Sequence, residues 1–181
     1  LRELSLHILD IVENGITAGA DYIQILINEA RSKDLLTIVI EDNGRGMPED
    51  KLRKPADPFI TTRTTRRVGL GLSLLSAAAD RCDGKLEIET ESGRGTRVKA
   101  TFSYNHIDRA PVGDMAATIT TLIMGNPLVD FVYTHIIDDR DFVIDTRELK
   151  EGPDDQSLTD PVLIYHLTQN IRNSLRELAD V

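Results

Sequence analysis

Apolar positions recur along this chain at two periods. Leu1, Leu4, Ile8, Ile11 and Val12 fall on one stripe at helical spacing and predict a helix over residues 1–18. His7, Asp10 and Asn14 form a second, polar stripe beside it, at spacings of three and four. Gly15 and the run Ala18-Gly19-Ala20 predict that this helix ends nearby. "DYIQILINE" alternates, with Ile23, Ile25 and Ile27 on one face, and reads as a strand. "ARSKD" turns the chain, and Leu35 to Glu41 returns as a second strand. "EDNGRGMPED" follows at 41–50 and carries Asn43-Gly44, a strong hairpin signal, yet no alternating return strand comes after it. Residues 49–68 hold charges and two prolines with little periodicity, the pattern of a long functional loop. "GLGLSLLSAAADRC" predicts a helix opened by glycines, with Gly84 as its C′ stop. Residues 85–104 predict a hairpin around "SGRG". There Leu86, Ile88 and Thr90 alternate with Glu87, Glu89 and Glu91, and Val98, Ala100, Phe102 and Tyr104 alternate with Arg97, Lys99 and Thr101. One outward row is acidic and the other basic, which suits cross-strand pairing on a solvated sheet face.

"NHIDRAPVGD" at 105–114 reads as a connector to a second, smaller module. That module predicts a helix near 114–124, strands near 130–137 and 142–146 with "DDRD" between them, and a last helix. Asp160-Pro161 supplies that helix with an N-cap followed by Pro at its first position. Ile164, Leu167, Ile171, Leu175 and Leu178 line one face of it, a stripe that reads as core, with an exposed partner-binding face as the alternative.

Composition narrows the classes. The 181 residues suffice for one domain with a proper core, or one plus a small appendage. The formal net charge of −9 argues against nucleic acid as the main partner, because phosphate binding needs a basic footprint. Cys82 is the only cysteine, so no internal disulfide can form and a cytoplasmic location is expected. No apolar run approaches the roughly 20 residues of a membrane span, and no signal-peptide pattern is present. A chain beginning at Leu1 reads as trimmed or as a fragment.

Four stretches carry candidate chemistry: "DIVENG" with Asp10 and Asn14, "EDNGRGM" with Asp42, Gly44 and Gly46, "VGLGLSLL" with Gly69 and Gly71, and "GRGT" with Gly95 and Thr96. Singly, each has a bland reading as a surface position, a turn, a loose helix start or a hairpin tip. Together, in this order, residues 1–104 resemble the GHKL ATPase superfamily of gyrase, heat-shock chaperone ATPases, histidine kinases and mismatch-repair ATPases. "VENGITAGADYIQI" is most similar to the mismatch-repair form of the first motif, and "DPFITTR…GLGLSLL" to the histidine-kinase form of the later ones. The resemblance implies an α+β, two-layer α/β sandwich of the Bergerat type for 1–104, and the pattern beyond it reads as a small α+β C-terminal module over 105–181, a candidate for partner docking or dimerisation. It also implies ATP and Mg²⁺ as cofactors. Asp42 would accept the adenine amino group, Gly44 and Gly46 would let backbone approach the base, and Met47 would touch the ring. Thr96 would reach the adenine through a bridging water, and Asn14 would hold Mg²⁺ by its amide oxygen. Gly69, Leu70 and Gly71 would offer backbone N–H groups at a helix N-terminus to the phosphates. The 49–68 loop would be the ATP lid, with Arg63, Arg66 and Arg67 giving it positive charge and Phe59 anchoring it.

The chain departs from the family at Asp10. Gyrase-like and mismatch-repair members place a glutamate general base there, and aspartate is one methylene shorter. His7, one turn earlier, reads either as a partner of Asp10 or, preferably, as a plain helix histidine. Two functions are expected. The first is a histidine-kinase-like module that passes the γ-phosphate of ATP to a separate protein. The alternative is an ATP-gated regulatory subunit, with slow hydrolysis or binding only, that switches a partner complex. A homodimer is compatible with both. An α/β domain with coincidental glycines is the remaining reading.

Overall fold

A computed structural model describes residues 3–46, 68–150 and 158–180. Its elements are α1 (Leu4–Thr17), β1 (Tyr22–Ala30), β2 (Leu35–Asp42), α2 (Val68–Asp80), β3 (Lys85–Glu91) and β4 (Gly95–Ser103). After them come α3 (Met115–Gly125), β5 (Asp130–Ile137), β6 (Arg140–Asp145), the short α4 (Thr146–Lys150) and α5 (Pro161–Ala179). A single six-stranded sheet runs in the order β3-β4-β2-β1-β5-β6. Every neighbouring pair is antiparallel except β1 and β5, which are parallel. The fold is therefore α+β in two layers, as the sequence predicts.

Strand alternation decides which face is covered. Ile23, Ile25 and Ile27 of β1, Ile38 and Ile40 of β2, Val98 and Phe102 of β4, and Phe131 and Tyr133 of β5 are buried. They meet Leu4, Ile8 and Val12 of α1, Leu75 of α2, Ile119 and Leu122 of α3 and Ile171 of α5 in one core. On the outer face the two charged rows of the β3–β4 hairpin pair as expected, Glu87 opposite Lys99 and Glu89 opposite Arg97. Arg97 also reaches Glu41 on β2, so the ion pairs cross three strands.

The C-terminal residues do not stand apart. The sequence reading places a boundary near 105, but β5 pairs with β1 along Tyr22–Glu29 and so extends the same sheet. The reason is invisible to local pattern: a parallel neighbour has to be reached through a crossover, here α3. Asp160 caps α5 as predicted, accepting from the N–H groups of Val162 and Leu163. The last predicted strand ends sooner, because Thr146 begins α4 and its hydroxyl accepts from Phe131 N–H. The turn after α2 also differs: Asp83, at φ 54°, takes the left-handed position that the sequence assigns to Gly84. Among the described residues no helix is long and apolar enough to cross a membrane.

Candidate functional site

"EDNG" is tied down rather than turned back. Asn43 Oδ1 accepts from the N–H groups of Asp21 and Tyr22, and its Nδ2 donates to Asp21 Oδ1 at 2.6 Å. Arg45 N–H donates to Ala18 O, and Gly93 N–H donates to Arg45 O. The segment after β2 is thus clamped between the end of α1 and the tip of the β3–β4 hairpin. Gly46 (φ 71°) lies against the Glu91 carbonyl, 2.3 Å from where a Cβ would stand. Gly95 (φ 102°) lies against the Asp42 carbonyl, 1.8 Å from its own missing Cβ. The clearance that Gly46 provides is taken by hairpin backbone, a use the sequence reading did not assign to it.

This clamp fixes Asp42. It sits at the end of β2, opposite Ile23 on β1 and Thr96 on β4, on the helix-facing side. Gly44 N–H donates to Asp42 Oδ1 at 2.9 Å. The other oxygen, Oδ2, points at α1, 3.2 Å from where a Gly15 Cβ would be. Burial pushes the Asp42 carboxyl above its ordinary range, against the N–H groups of Gly44 and Thr96, which favour the anion. Thr90 donates to Gly95 O at 3.0 Å, and the Thr90 and Thr96 hydroxyls lie 3.2 Å apart. A cleft of about 340 Å³ at these strand ends is lined by Asp42, Thr90 and Thr96 together with Glu41, Glu89 and Arg97 of the outer face, so its lining comes from β2, β3, β4 and the turn that joins the last two.

Asp10 and Asn14 lie one turn apart on α1, both half-buried, on the side where α2 docks. Gly71, in the first turn of α2, rests on the Asp10 carboxylate: a Cβ there would be 2.0 Å from Oδ2. Gly69 and Leu70 lie in the same first turn. A helix's first four N–H groups have no partner within the helix, and its macrodipole favours an anion there. His7 is buried, and its Nδ1 has no hydrogen-bond partner among the described residues. Burial lowers the His7 pKa, against the opposing charge of Asp10.

Seven of the expected site residues, Asp10, Asn14, Asp42, Gly44, Gly46, Gly71 and Thr96, are thus brought to one end of the sheet by α1, α2, β2, β4 and the clamped loop. Met47, Phe59, Arg63, Arg66 and Arg67 lie outside the described residues, as does the expected lid. Sequence reasoning missed Thr90 and Asn43. Thr90 was legible as a polar residue in phase with inward Leu86 and Ile88 at a strand end; Asn43 was masked by its hairpin-like neighbour.

Nucleotide and Mg²⁺ fit this arrangement. Asp42 keeps one carboxylate oxygen outside its Gly44 bond, and Asn14 is a hard oxygen donor. No group of three or more His, Cys, Asp or Glu residues able to hold a metal gathers among the described residues. A phosphate-borne Mg²⁺ needs only one or two protein ligands.

Residues 2–106 match the family described as histidine kinase-, DNA gyrase B-, and HSP90-like ATPase. That is more than half of the chain, and the protein belongs to this family. Sporulation kinase C of Bacillus subtilis (strain 168) is 33% identical over 95 residues, covering 52% of this chain and 22% of that protein. Sporulation kinase E of the same organism is 34% identical over 96 residues, covering 52% of this chain and 13% of that protein. The chain therefore spans less than a quarter of the length of these relatives. Among solved structures, the N-terminal domain of a DNA repair protein superposes with a TM-score of 0.55 at 16% identity, covering 87% of this chain and 55% of that one. The likeness in fold thus reaches further along the chain than the family match does.

Proposed function

We propose that this chain binds ATP with Mg²⁺ and acts as a histidine-kinase-like module, transferring the γ-phosphate to a residue on a separate protein. The observation that carries the reading is Asp42: a part-buried carboxylate at the end of β2, held through Oδ1 by Gly44 N–H, whose Oδ2 faces α1 and can accept from a donor there. An adenine amino group supplies such a donor. Thr96 adds an acceptor beside it, Gly44 and Gly46 shape the loop, and Met47 contacts the ring. Asn14 holds Mg²⁺, which neutralises phosphate oxygens when bound. The first turn of α2, at Gly69, Leu70 and Gly71, takes the phosphates, and Phe59 and Arg63 belong to the lid that covers them. Asp10 stands at the phosphate end as the proton acceptor. The kinase relatives support phosphoryl transfer as the chemistry. The acceptor is a protein rather than nucleic acid, in keeping with the charge of −9. A cytoplasmic location and a homodimer are consistent with this reading.

Incubation with γ-labelled ATP and candidate partner proteins tests it. Label should appear on a partner, and Asp42→Asn should abolish both binding and transfer. Intact ATP with no labelled partner sinks the kinase reading. Asp10→Asn should lose turnover while keeping ATP affinity.

A second reading, an ATP-gated regulatory subunit, is favoured by one observation: β5 and β6 are hydrogen-bonded into the sheet that carries the site. Nucleotide-dependent changes at Asp42 then have a direct route to the C-terminal residues. Hydrogen exchange with ADP and with a non-hydrolysable ATP analogue separates the readings, because a switch requires different protection in the two states.

A further inference from the structure

Beyond β4 the chain builds two helices whose shared end is left uncovered. α3 and α5 lie side by side. Thr168 donates to the Thr120 hydroxyl at 3.1 Å, and Arg172 donates to Asp114 at 2.9 Å. Residue numbers therefore rise along one helix as they fall along the other, and the pair is antiparallel. One turn beyond Thr120, Met124 stands beside Ile164 and Tyr165 of α5. Leu128 follows in the tight turn that leaves α3, at the end where Pro161 and Val162 open α5. The inward sides of the two helices reach the core through Ile119, Leu122, Ile123 and Ile171. Outward, Leu128 is 90% exposed, Val162 65%, Tyr165 61% and Met124 46%. Single exposed apolar residues are ordinary, but four large ones gathered at one end of a helix pair mark a contact surface.

Charge says what covers it. Charged residues make up 28% of the chain, and its net charge is −9. Yet residues 115–129 and 161–171 contain no Asp, Glu, Lys or Arg. Two charge-free runs, distant in sequence, meet at this one end. A partner selected by charge needs ionic groups around its anchor, whereas a neutral apolar face matches another neutral apolar face. Like charges across an interface oppose association, so a chain this acidic meets its own copy most favourably where charge is absent.

We propose that a second copy of the chain docks here, the ends of α3 and α5 in one protomer against the same ends in the other, about a two-fold axis. Such an axis needs a self-complementary patch, and an uncharged apolar one meets that condition without matching donors to acceptors. Four side chains of this size present on the order of 400 Å² of apolar surface per copy. With the polar residues around them, two copies bury about 1,000 Å², the low end of specific interfaces. An interface of that size suits a dimer that forms and dissociates with concentration. The inference does not depend on ATP binding.

Sedimentation velocity on the chain from about 1 to about 200 µM tests it. Wild type should move from monomer to dimer across that range. Tyr165→Glu and Leu128→Glu each bring a carboxylate into the contact from both protomers, and should raise the dimer dissociation constant at least about 30-fold. Tyr165→Phe keeps the ring and should dimerise as wild type does. Ile107→Glu is the control. Ile107 is 95% exposed and follows β4 at the opposite end of the sheet, so the same added charge there should change the constant less than about twofold. All three positions are exposed, and melting midpoints should stay within about 3 °C of wild type. A wild type that remains monomeric at the highest concentration overturns the proposal and gives the face to a different protein or to a lipid surface. A dimer that survives both glutamate variants, or that Ile107→Glu disrupts equally, overturns it as well, because association then lies elsewhere.

Discussion

Asp42 and Glu29 are two carboxylates at opposite ends of one strand pair, facing the same layer of helices. Asp42 stands opposite Ile23 at the start of β1, and Glu29 lies near the end of β1. Glu29 is fully engaged. Its Oε1 takes His135 Nε2 at 2.8 Å, and His135 Nδ1 meets the Tyr133 hydroxyl at 2.7 Å. Arg31 lies 3.5 Å from Oε2. A His135 tautomer with its proton on Nε2 satisfies the row: imidazole donates to Glu29, and Tyr133 donates to Nδ1. Burial works to raise the Glu29 carboxyl, but the bond from His135, the bond from Tyr104 and the nearby charges hold it below its ordinary range. Burial wins at Asp42, where the carboxyl is raised. The same chemical group is structural where its acceptors are filled and available for recognition where one is not. A buried polar residue marks a site by the capacity it leaves unspent.

The sharpest way to break this contrast is to remove each carboxylate in turn. Glu29→Ala leaves His135 Nε2 buried without its acceptor, and should cost about 1–3 kcal/mol of stability in urea unfolding, with nucleotide affinity of the folded protein unchanged. Asp42→Asn should do the reverse. ATP affinity, measured by calorimetry, should drop at least about 100-fold, while stability moves by less than about 1 kcal/mol. Comparable destabilisation by the two substitutions would show that Asp42 is simply another core anchor.

The sequence carried one half of the contrast far better than the other. Asp42 was legible because glycines crowd around it and because four short motifs recur in family order. Glu29 was not, since His135 and Tyr133 come from β5, more than a hundred residues away and joined through a parallel pairing that leaves no local trace. Periodicity placed β5 at Asp130–Ile137 but said nothing about its neighbour. It could not tell that residues 105–181 complete the sheet of residues 1–104 rather than forming a sheet of their own. His7 shows the same limit: its spacing suggested a polar stripe, whereas the packing of α1 buries it.

A smaller effect is expected at Gly71, where Asp10, the proposed proton acceptor, meets α2. A Cβ there would fall 2.0 Å from Asp10 Oδ2, and the short side chain has to turn away. If Asp10 is the proton acceptor as proposed, Gly71→Ala should lower turnover by about tenfold, with ATP affinity changed less than about threefold. Equal losses in turnover and affinity would instead assign Gly71 to phosphate binding alone. Measuring Gly71→Ala in an Asp10→Asn background sharpens the result: with the carboxylate charge gone, the further loss of turnover should largely disappear.

The gentlest probe is pH, and the two carboxylates give it opposite signs. Glu29 has a folded pKa below its unfolded value, so its contribution to stability is fully present above about pH 4.3 and is lost as pH falls through the lower, folded value. Asp42 has a folded pKa above its unfolded value of about 3.9. Its protonated form is favoured in the fold, so that contribution is complete below about pH 3.9 and disappears as pH rises through the raised value. Stability profiles of the variants relative to wild type should therefore diverge. Asp42→Asn should gain on wild type as pH rises from about 4, because it removes a carboxylate that is costly to ionise. Glu29→Gln should lose on wild type in a lower interval, as pH rises from the lowered folded value to about 4.3, because it removes a carboxylate that the fold prefers ionised. Parallel profiles would mean that both carboxylates sit in equivalent surroundings, and the distinction between a filled and an unfilled acceptor would no longer account for the site.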